Sequence, residues 1–404
     1  MTGLNSALDL TEVSPILDFA RKSADTDVGF GSLDLRGLVD HSLPLSTLIT
    51  ARMTFSFAIA VQLGSAKDLP LVQRGIRALL NELRDYEFGG FRTSLAPHPQ
   101  GGEKRAYETC FVLLAASAAH AVGVVGAREV AAEAQRNIED HFWNEKLGVM
   151  SDSFDISFER AEPYFGANAN MHAVEALMAA AKVFGDRTLV DKAVRIADFM
   201  INRHARSKKW MLPEHFTENG EPMLDYNIEF PAHEFRPYGV TIGHLFEWSR
   251  LLVELDTIAE DSERWRLDAA AHLYQSAKTW GWAVDGQNGF IYTINWEAQP
   301  VVRTRPYWVL AEAISAAAAL RGAKVVPSAS ADLEHWQRFA LDNFRDRELG
   351  GWHHELDIQN RPSHTMWSGK PDVYHTLQAM LIPQLPADAS LTSRIRKVKG
   401  DICW

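Results

Sequence analysis

Apolar residues recur at helical spacing through eleven long segments: 45–64, 70–85, 105–122, 127–142, 167–184, 189–204, 239–257, 262–279, 306–321, 332–345 and 371–382. A shorter one at 11–23 brings the predicted helices to about twelve. No comparable series of alternating apolar and polar positions predicts long strands. Between successive helix pairs stands a glycine or lysine, a bulky apolar residue and a few strand-like positions: GFGSLD from 29, GGFRT from 89, GVMSD from 148, KKWML from 208, GFIYT from 289 and GGWHH from 350. Each reads as a tight turn or a small hairpin. The marks recur at about 60 residues, with one interval of about 80 that holds the loop around 215–236.

Repetition at that period means one helix–turn–helix unit built six times. Six such pairs can close into an all-α (α/α)6 barrel with short β-hairpins in its connecting loops, one domain over residues 1–404. An open superhelix of helix pairs is the alternative; it needs distinct capping repeats, and the pattern has none. Closure also suits the Ala-rich stretches AVEALMAAAKVF and LAEAISAAAAL, which are too apolar for helices with a face in water.

Polar residues break this background at one recurring place. The second helix of each unit opens with hydrogen-bonding or aromatic groups and then turns apolar: Arg52, Tyr107, His172, His244 with Glu247, Arg305 with Trp308, and His375. From Arg52 to His375, taking Trp308 and His244 for their helices, successive positions lie 55 to 72 residues apart, close to the unit period. If these helices run parallel inside a ring, their first turns meet at one mouth. A lone histidine at a helix start is more often structural, but three in register point to a shared pocket. His41, His98, His335, His353, His354 and His364 fall outside the register and are assigned to loops or surface.

Glu175 and Glu247 follow His172 and His244 by three residues, so each pair shares a helix face. The carboxylates either orient the imidazoles and touch ligand hydroxyls, or join them in a Zn or Mn site. The lack of flanking Asp ligands favours the first. A formal charge of −11 without a basic run excludes a nucleic-acid backbone as partner. Cys110 and Cys403 are too few for a disulfide framework or a thiolate metal site, and read as free thiols. No basic-then-apolar leader opens the chain and no apolar run is long enough to span a bilayer, so the expectation is a cytoplasmic protein with no membrane partner. Nucleotide-binding glycine patterns, HExxH and GxSxG are all missing.

Imidazoles, guanidiniums and indoles around one acidic-protein pocket suit a neutral polyol such as a sugar. Two histidines can remove and return a proton near neutral pH, as isomerisation or epimerisation at C2 of a sugar requires. Arg52 or Arg236 would stabilise the oxygen of the enediolate. A glycoside hydrolase, with Glu175, Glu247 and Glu312 as candidate carboxylates, is the rival chemistry; their pairing with histidine favours isomerisation.

Four long stretches carry a resemblance: FGANANMHAVEALM at 165–178, DYNIEFPAHEFRPYGVTIGHLFEWSRLL at 225–252, GFIYTINWEAQPVVRTRPYWVLAEA at 289–313 and GGWHHELDIQNRPSHTMWSGKPDVYH at 350–375. In order and over nearly the whole chain they are similar to the N-acylglucosamine 2-epimerase superfamily, above all its aldose–ketose isomerase branch. The resemblance implies an (α/α)6 barrel that interconverts mannose and fructose, and also lyxose and xylulose, through a cis-enediol, with no metal or other cofactor. Sugar 2-epimerases on the same scaffold are the alternative, and a non-catalytic partner-binding toroid a third reading. By the same resemblance His375 moves the proton between C1 and C2, and His244, with Glu247 beside it, opens the ring or performs the partner transfer. Arg52, Asn168, His172 and Arg236 would hold hydroxyls and the developing oxyanion, and Trp308 would shape the wall. Tyr107, Glu175 and Glu312 complete the expected monosaccharide contacts in a monomer or homodimer.

The chain departs from the family pattern at Ser32 and Leu48, where relatives carry tryptophan, which bears on substrate preference. Pro371 replaces a glutamine of the sulfoquinovose isomerases, which favours an uncharged hexose. The segment 214–237, ending in HEFRPYG, has the length of a lid.

Overall fold

Each predicted helix has a counterpart in the computed structural model, which describes residues 8–96, 102–259, 261 and 263–399. The helices are α1 (Val13–Ala20), α2 (Thr47–Gln62), α3 (Leu69–Leu80), α4 (Ala106–His120), α5 (Ala127–Asn137), α6 (Ala167–Phe184) and α7 (Thr188–Ala197). Then follow α8 (Ile242–Asp256), α9 (Trp265–Gly281), α10 (Tyr307–Ala323), α11 (Ala329–Asn343), α12 (Tyr374–Leu381) and α13 (Leu391–Lys399). Wider π-type turns at Ile138–Phe142 and Asp198–Ala205 prolong α5 and α7, which accounts for the longer predicted spans there. The helix α13 has no counterpart in the apolar periodicity, because six of the nine residues of LTSRIRKVK are polar or charged.

The even-numbered helices α2 to α12 are almost wholly buried and mostly apolar around their circumference apart from inward-facing polar residues, whereas α3, α5 and α7 are strongly amphipathic and bury one face. The former make an inner ring, each packed on the next, with α12 returning to α2; α3, α5, α7, α9 and α11 line its outside. The sixth pair is made differently. Its outer member is α1, from the other end of the chain, tied in by Glu12 to Arg345 at 2.9 Å and by Asp9 N–H to Gln384 Oε1 at 2.7 Å. The architecture is the (α/α)6 barrel.

Short strands set the height of the inner helices. Residues 103–105, 164–166, 240–241 and 305–306 immediately precede α4, α6, α8 and α10. Each pairs antiparallel with chain returning from the outer helix of its own unit, at 153–155, 215–217, 293–294 and 355–356. Before α2 a single bridge, Ser46 to Ser94, does the same. Five inner helices are therefore set at one rim by such pairings, α12 reaches the same rim without one, and one repeat period in sequence becomes one step around the mouth. Gly239, just before 240–241, has φ +89°, and a Cβ there would lie 2.1 Å from the Ile294 carbonyl oxygen, so only glycine lets that strand pair.

Hairpins or bridges form at five of the six glycine-aromatic marks, closing on Leu33, Phe91, Val149–Met150, Phe290 and Trp352. At KKWML there is none: Lys209 and Trp210 both take positive φ, and the Trp210 N–H caps the preceding π-turn on the Ala205 carbonyl. The far end of the ring is floored by α13, which touches α2 and α6; Thr392 accepts from Gln62, and Arg396 donates to the Ala121 carbonyl. Cys110 is a free thiol buried in α4, while His98 and Cys403 lie outside the described residues. Among the described residues no helix is long and apolar enough to cross a membrane.

Candidate active site

At the rim the first turns of all six inner helices surround a cavity of about 740 Å³. Arg52, Tyr107, Asn168, His172, His244, Glu247, Trp308 and His375 line it. Two of the imidazoles are held alike. His375 Nδ1 lies 2.8 Å from Glu312 Oε1, and His244 Nδ1 lies 2.8 Å from Glu214 Oε2. An Nδ1–H donated to a carboxylate leaves Nε2 with its lone pair, the form of a general base. Both rings flank the Trp308 indole, with centroids 5.4 and 5.9 Å away. Gly243 makes room for that indole, since a Cβ there would stand 2.1 Å from a ring carbon.

Glu214 is fixed by its place beside the sheet. Its carbonyl accepts from Ala167 N–H at 2.8 Å, and its Oε1 from Thr241 N–H at 3.3 Å, so the loop ahead of α6, the strand ahead of α8 and the His244 ring are tied together.

His172, the third imidazole, sits 6.5 Å from the His375 ring. Its Nδ1 is 3.6 Å from Glu175 and 3.8 Å from Glu247, beyond hydrogen-bond length. Burial holds its pKa down to about 4, so the ring is neutral at ordinary pH. Arg52 donates to Asp372 at 2.9 Å and to the Tyr107 hydroxyl at 2.8 Å, with its guanidinium 4.4 Å above the Phe111 ring. Burial works against its charge, but Tyr107 and Asp372 outweigh it and keep the group cationic.

Beneath the cavity Arg250 faces four carboxylates: Glu312 at 3.1 Å, Glu254 at 3.2 Å, Glu247 at 3.4 Å and Glu175 at 3.5 Å. Burial, and then the adjacent Glu312 charge, push the Glu247 pKa well above the usual carboxyl range. Burial opposes ionisation of Glu175 and Glu312 as well. Their neighbours win: His172 and Arg250 for Glu175, Arg250 and His375 for Glu312, and both are held below the usual range. Two sets could in geometry hold a cation, His172–Glu175–Glu247 and Glu247–Glu312–His375, with donor atoms within 4.8 Å. They share Glu247, which faces Arg250 at 3.4 Å, and the Glu312 oxygens already accept from Arg250 and His375, so the donor set is engaged with a guanidinium.

Several expected positions fall elsewhere. Arg236 does not reach the cavity: Glu162 at 2.7 Å and Asp152 at 2.8 Å take its guanidinium, which lies on the Tyr164 ring in a neighbouring cavity. Glu162, Asp152 and the Tyr226 hydroxyl take both of its terminal nitrogens. Glu175 and Glu312 stand behind the lining, engaged with Tyr374 and Arg250 and with His375 and Arg250, so neither is placed as a direct sugar contact. Arg305 is spent on Asp285 at 2.8 Å in the wall. His354 does lie in a loop, just before 355–356, but it is buried in the cavity lining and stacked on Tyr307 at 3.9 Å.

Glu214, Asp372, Arg250 and Trp367 were not among the expected residues. Asp372 stands three residues before His375 and Arg250 three after Glu247, spacings that mark them. Glu214 and Trp367 come from loops and offer no periodic signal. Ser32, Leu48 and Pro371 all line the cavity. The expected lid divides: 215–217 is strand, while Glu234 and Phe235 reach the cavity and the Tyr292 hydroxyl holds the Glu234 carbonyl at 3.1 Å.

The model of the N-acylglucosamine 2-epimerase (GlcNAc 2-epimerase) family matches residues 29–379. Over 395 residues the chain is 42% identical to a D-mannose isomerase of Thermobifida fusca, covering 96% of each. A D-mannose isomerase of Pseudomonas cannabina pv. alisalensis is 41% identical over 387 residues, 94% of this chain and 92% of that one. A crystal structure of D-mannose isomerase superposes with a TM-score of 0.86 at 25% identity, covering 95% of this chain and 99% of the other. The cellobiose 2-epimerase of Spirochaeta thermophila shares the fold, with a TM-score of 0.79 at 20% identity over 97% and 96% of the two chains.

Proposed function

The chain belongs to the N-acylglucosamine 2-epimerase family and is an isomerase, and on that premise we propose that it interconverts D-mannose and D-fructose, and D-lyxose and D-xylulose, without a metal. The observation that carries this reading is the pair of imidazoles, His375 and His244, each bound through Nδ1 to a carboxylate and each lining the same cavity beside Trp308.

His244 returns the O1 proton to the ring oxygen and opens the sugar. His375 then takes the C2 proton through Nε2, and the Glu312 carboxylate supports the imidazolium that forms. The electron pair moves to O1, which accepts a proton from Glu247 acting as a carboxylic acid, giving the cis-enediol. The same group takes the O2 proton, and His375 returns its own to C1. Arg52, kept cationic by Asp372, stabilises the negative oxygen as it develops. Cys110, a free thiol buried in α4, is consistent with a reducing, cytoplasmic setting for this monosaccharide enzyme.

The test is NMR of products from a panel of aldoses and ketoses, run in deuterated water after chelator treatment. Fructose formed from mannose with deuterium at C1 is the expected result. An epimer accumulating without ketose would replace the reading by 2-epimerisation, and activity lost to chelator and restored by Mn or Zn would replace the metal-free chemistry.

A further inference from the structure

We infer that Arg394, on the helix that floors the barrel, is a positioning residue that tunes the catalytic carboxylates through Glu254 and Arg250. The inference rests on the reading of His375 as the proton carrier. The inward face of α8 presents His244, Glu247, Arg250 and Glu254 at spacings of three, three and four, a single polar stripe that leads from cavity to floor.

Arg250 stands midway along that stripe. Its Nε donates to Glu312 Oε2 at 3.1 Å, and the other oxygen of Glu312 accepts from His375 Nδ1 at 2.8 Å. Its two terminal nitrogens reach Glu247 at 3.4 Å and Glu254 at 3.2 Å. At the floor, Arg394 donates to Glu254 Oε1 at 2.8 Å. Each of these carboxylate and guanidinium side chains is at most 2% exposed. His172 and Tyr374 complete the surroundings through Glu175, which also faces Arg250.

Four carboxylates therefore share two guanidiniums in a space that water does not screen, where each charge acts at full strength on its neighbours. Without Arg394, Glu254 has Arg250 as its remaining cation and competes with Glu312 and Glu247 for it. That alters the charge against which His375 takes its proton. The sugar cavity itself is untouched, because Arg394 lies at the other end of the inner helices. The helix α13 begins at Leu391, beyond the segment 29–379 that the family model matches.

The test compares the full-length wild type with Arg394→Met, Arg394→Lys, Glu254→Gln and the paired Glu254→Gln/Arg394→Met, each checked for folding by circular dichroism. Arg394→Met lowers kcat roughly tenfold with KM within about twofold, the scale of coupling within one buried network. It moves the pH profile of kcat upward, since a positive charge has left the cluster. Glu254→Gln moves the profile downward, Arg394→Lys restores most of the rate, and the paired variant returns towards wild type. A helix that merely plugs the floor would change the melting temperature without these opposed shifts. If Arg394→Met does not fold, Glu254→Gln alone decides: a profile that stays in place overturns the inference. So does a folded Arg394→Met with wild-type kcat and profile, or a paired variant no better than Arg394→Met. A wild type inert towards every aldose and ketose overturns the proposed function together with this inference.

Discussion

Replacing Glu312 by glutamine keeps the shape of the side chain and removes the charge that faces both His375 Nδ1, at 2.8 Å, and Arg250 Nε, at 3.1 Å. In the proposed mechanism His375 passes through an imidazolium, and its bond to Glu312 becomes a pair between opposite charges in a site that is 0% exposed at the carboxylate. A hydrogen bond to a charged group contributes about 1.5–3 kcal/mol. At about 1.4 kcal/mol per factor of ten, losing it in the transition state predicts a fall in kcat of about ten- to a hundredfold. Because Glu312 stands behind the imidazole and does not line the cavity, KM changes by less than about threefold. Initial rates of fructose formation against mannose concentration separate the two constants. A raised KM with unchanged kcat would mean that Glu312 touches the sugar and that the histidine–carboxylate argument is wrong.

His375→Gln and His244→Gln each lower turnover by about two orders of magnitude or more, the usual scale for a general acid or base; less than tenfold from both removes the assignment. Gly243→Ala drives a methyl group to 2.1 Å from the Trp308 ring and displaces the indole from between the two histidines, costing about 1–3 kcal/mol in stability and raising KM; an unchanged KM would show that the indole does not shape the sugar site. His172 gives a pH signature: its folded pKa of about 4 lies below the ordinary 6.5, so between those values the unfolded chain binds a proton that the folded one refuses. Its contribution, about 3 kcal/mol, is present above pH 6.5 and lost as pH falls towards 4. Urea midpoints of wild type and His172→Gln measured at pH 7.5 and pH 5 should therefore lie closer together across pH in the variant, and equal slopes would contradict the burial argument.

The rim of the site was legible because the pairings ahead of five inner helices put their first turns at one height, which α12 also reaches. A repeat of about 60 residues then translates directly into neighbours around a mouth, which is how Arg52, Tyr107, His172, His244 and His375 could be grouped. The layer behind it was not legible in the same way. Arg250 and Glu254 continue the spacing of His244 and Glu247, yet charges deep in an apolar helix acquire meaning only once it is known which carboxylates from α6 and α10 face them. Arg236 illustrates the opposite failure: its motif carries a guanidinium to the neighbourhood, and only the fold shows that Asp152 and Glu162 reach it first. For α13 the local signal was polar, not apolar: Ser390 and Ser393 exchange hydrogen bonds at its start, a cap that fixes a helix without any hydrophobic period.

Closing the ring with α1 against α12 gives synthesis of this protein an order. Asp9 and Gln384, bonded to one another, are 375 positions apart, so the earliest helix must wait for the latest inner one. Until α12 leaves the ribosome the other five inner helices form an arc with an unsealed apolar seam between α10 and α2, a surface for chaperones to cover. The same helix delivers His375, so the last event that shuts the ring also completes the cavity with the imidazole to which we assign the proton transfer.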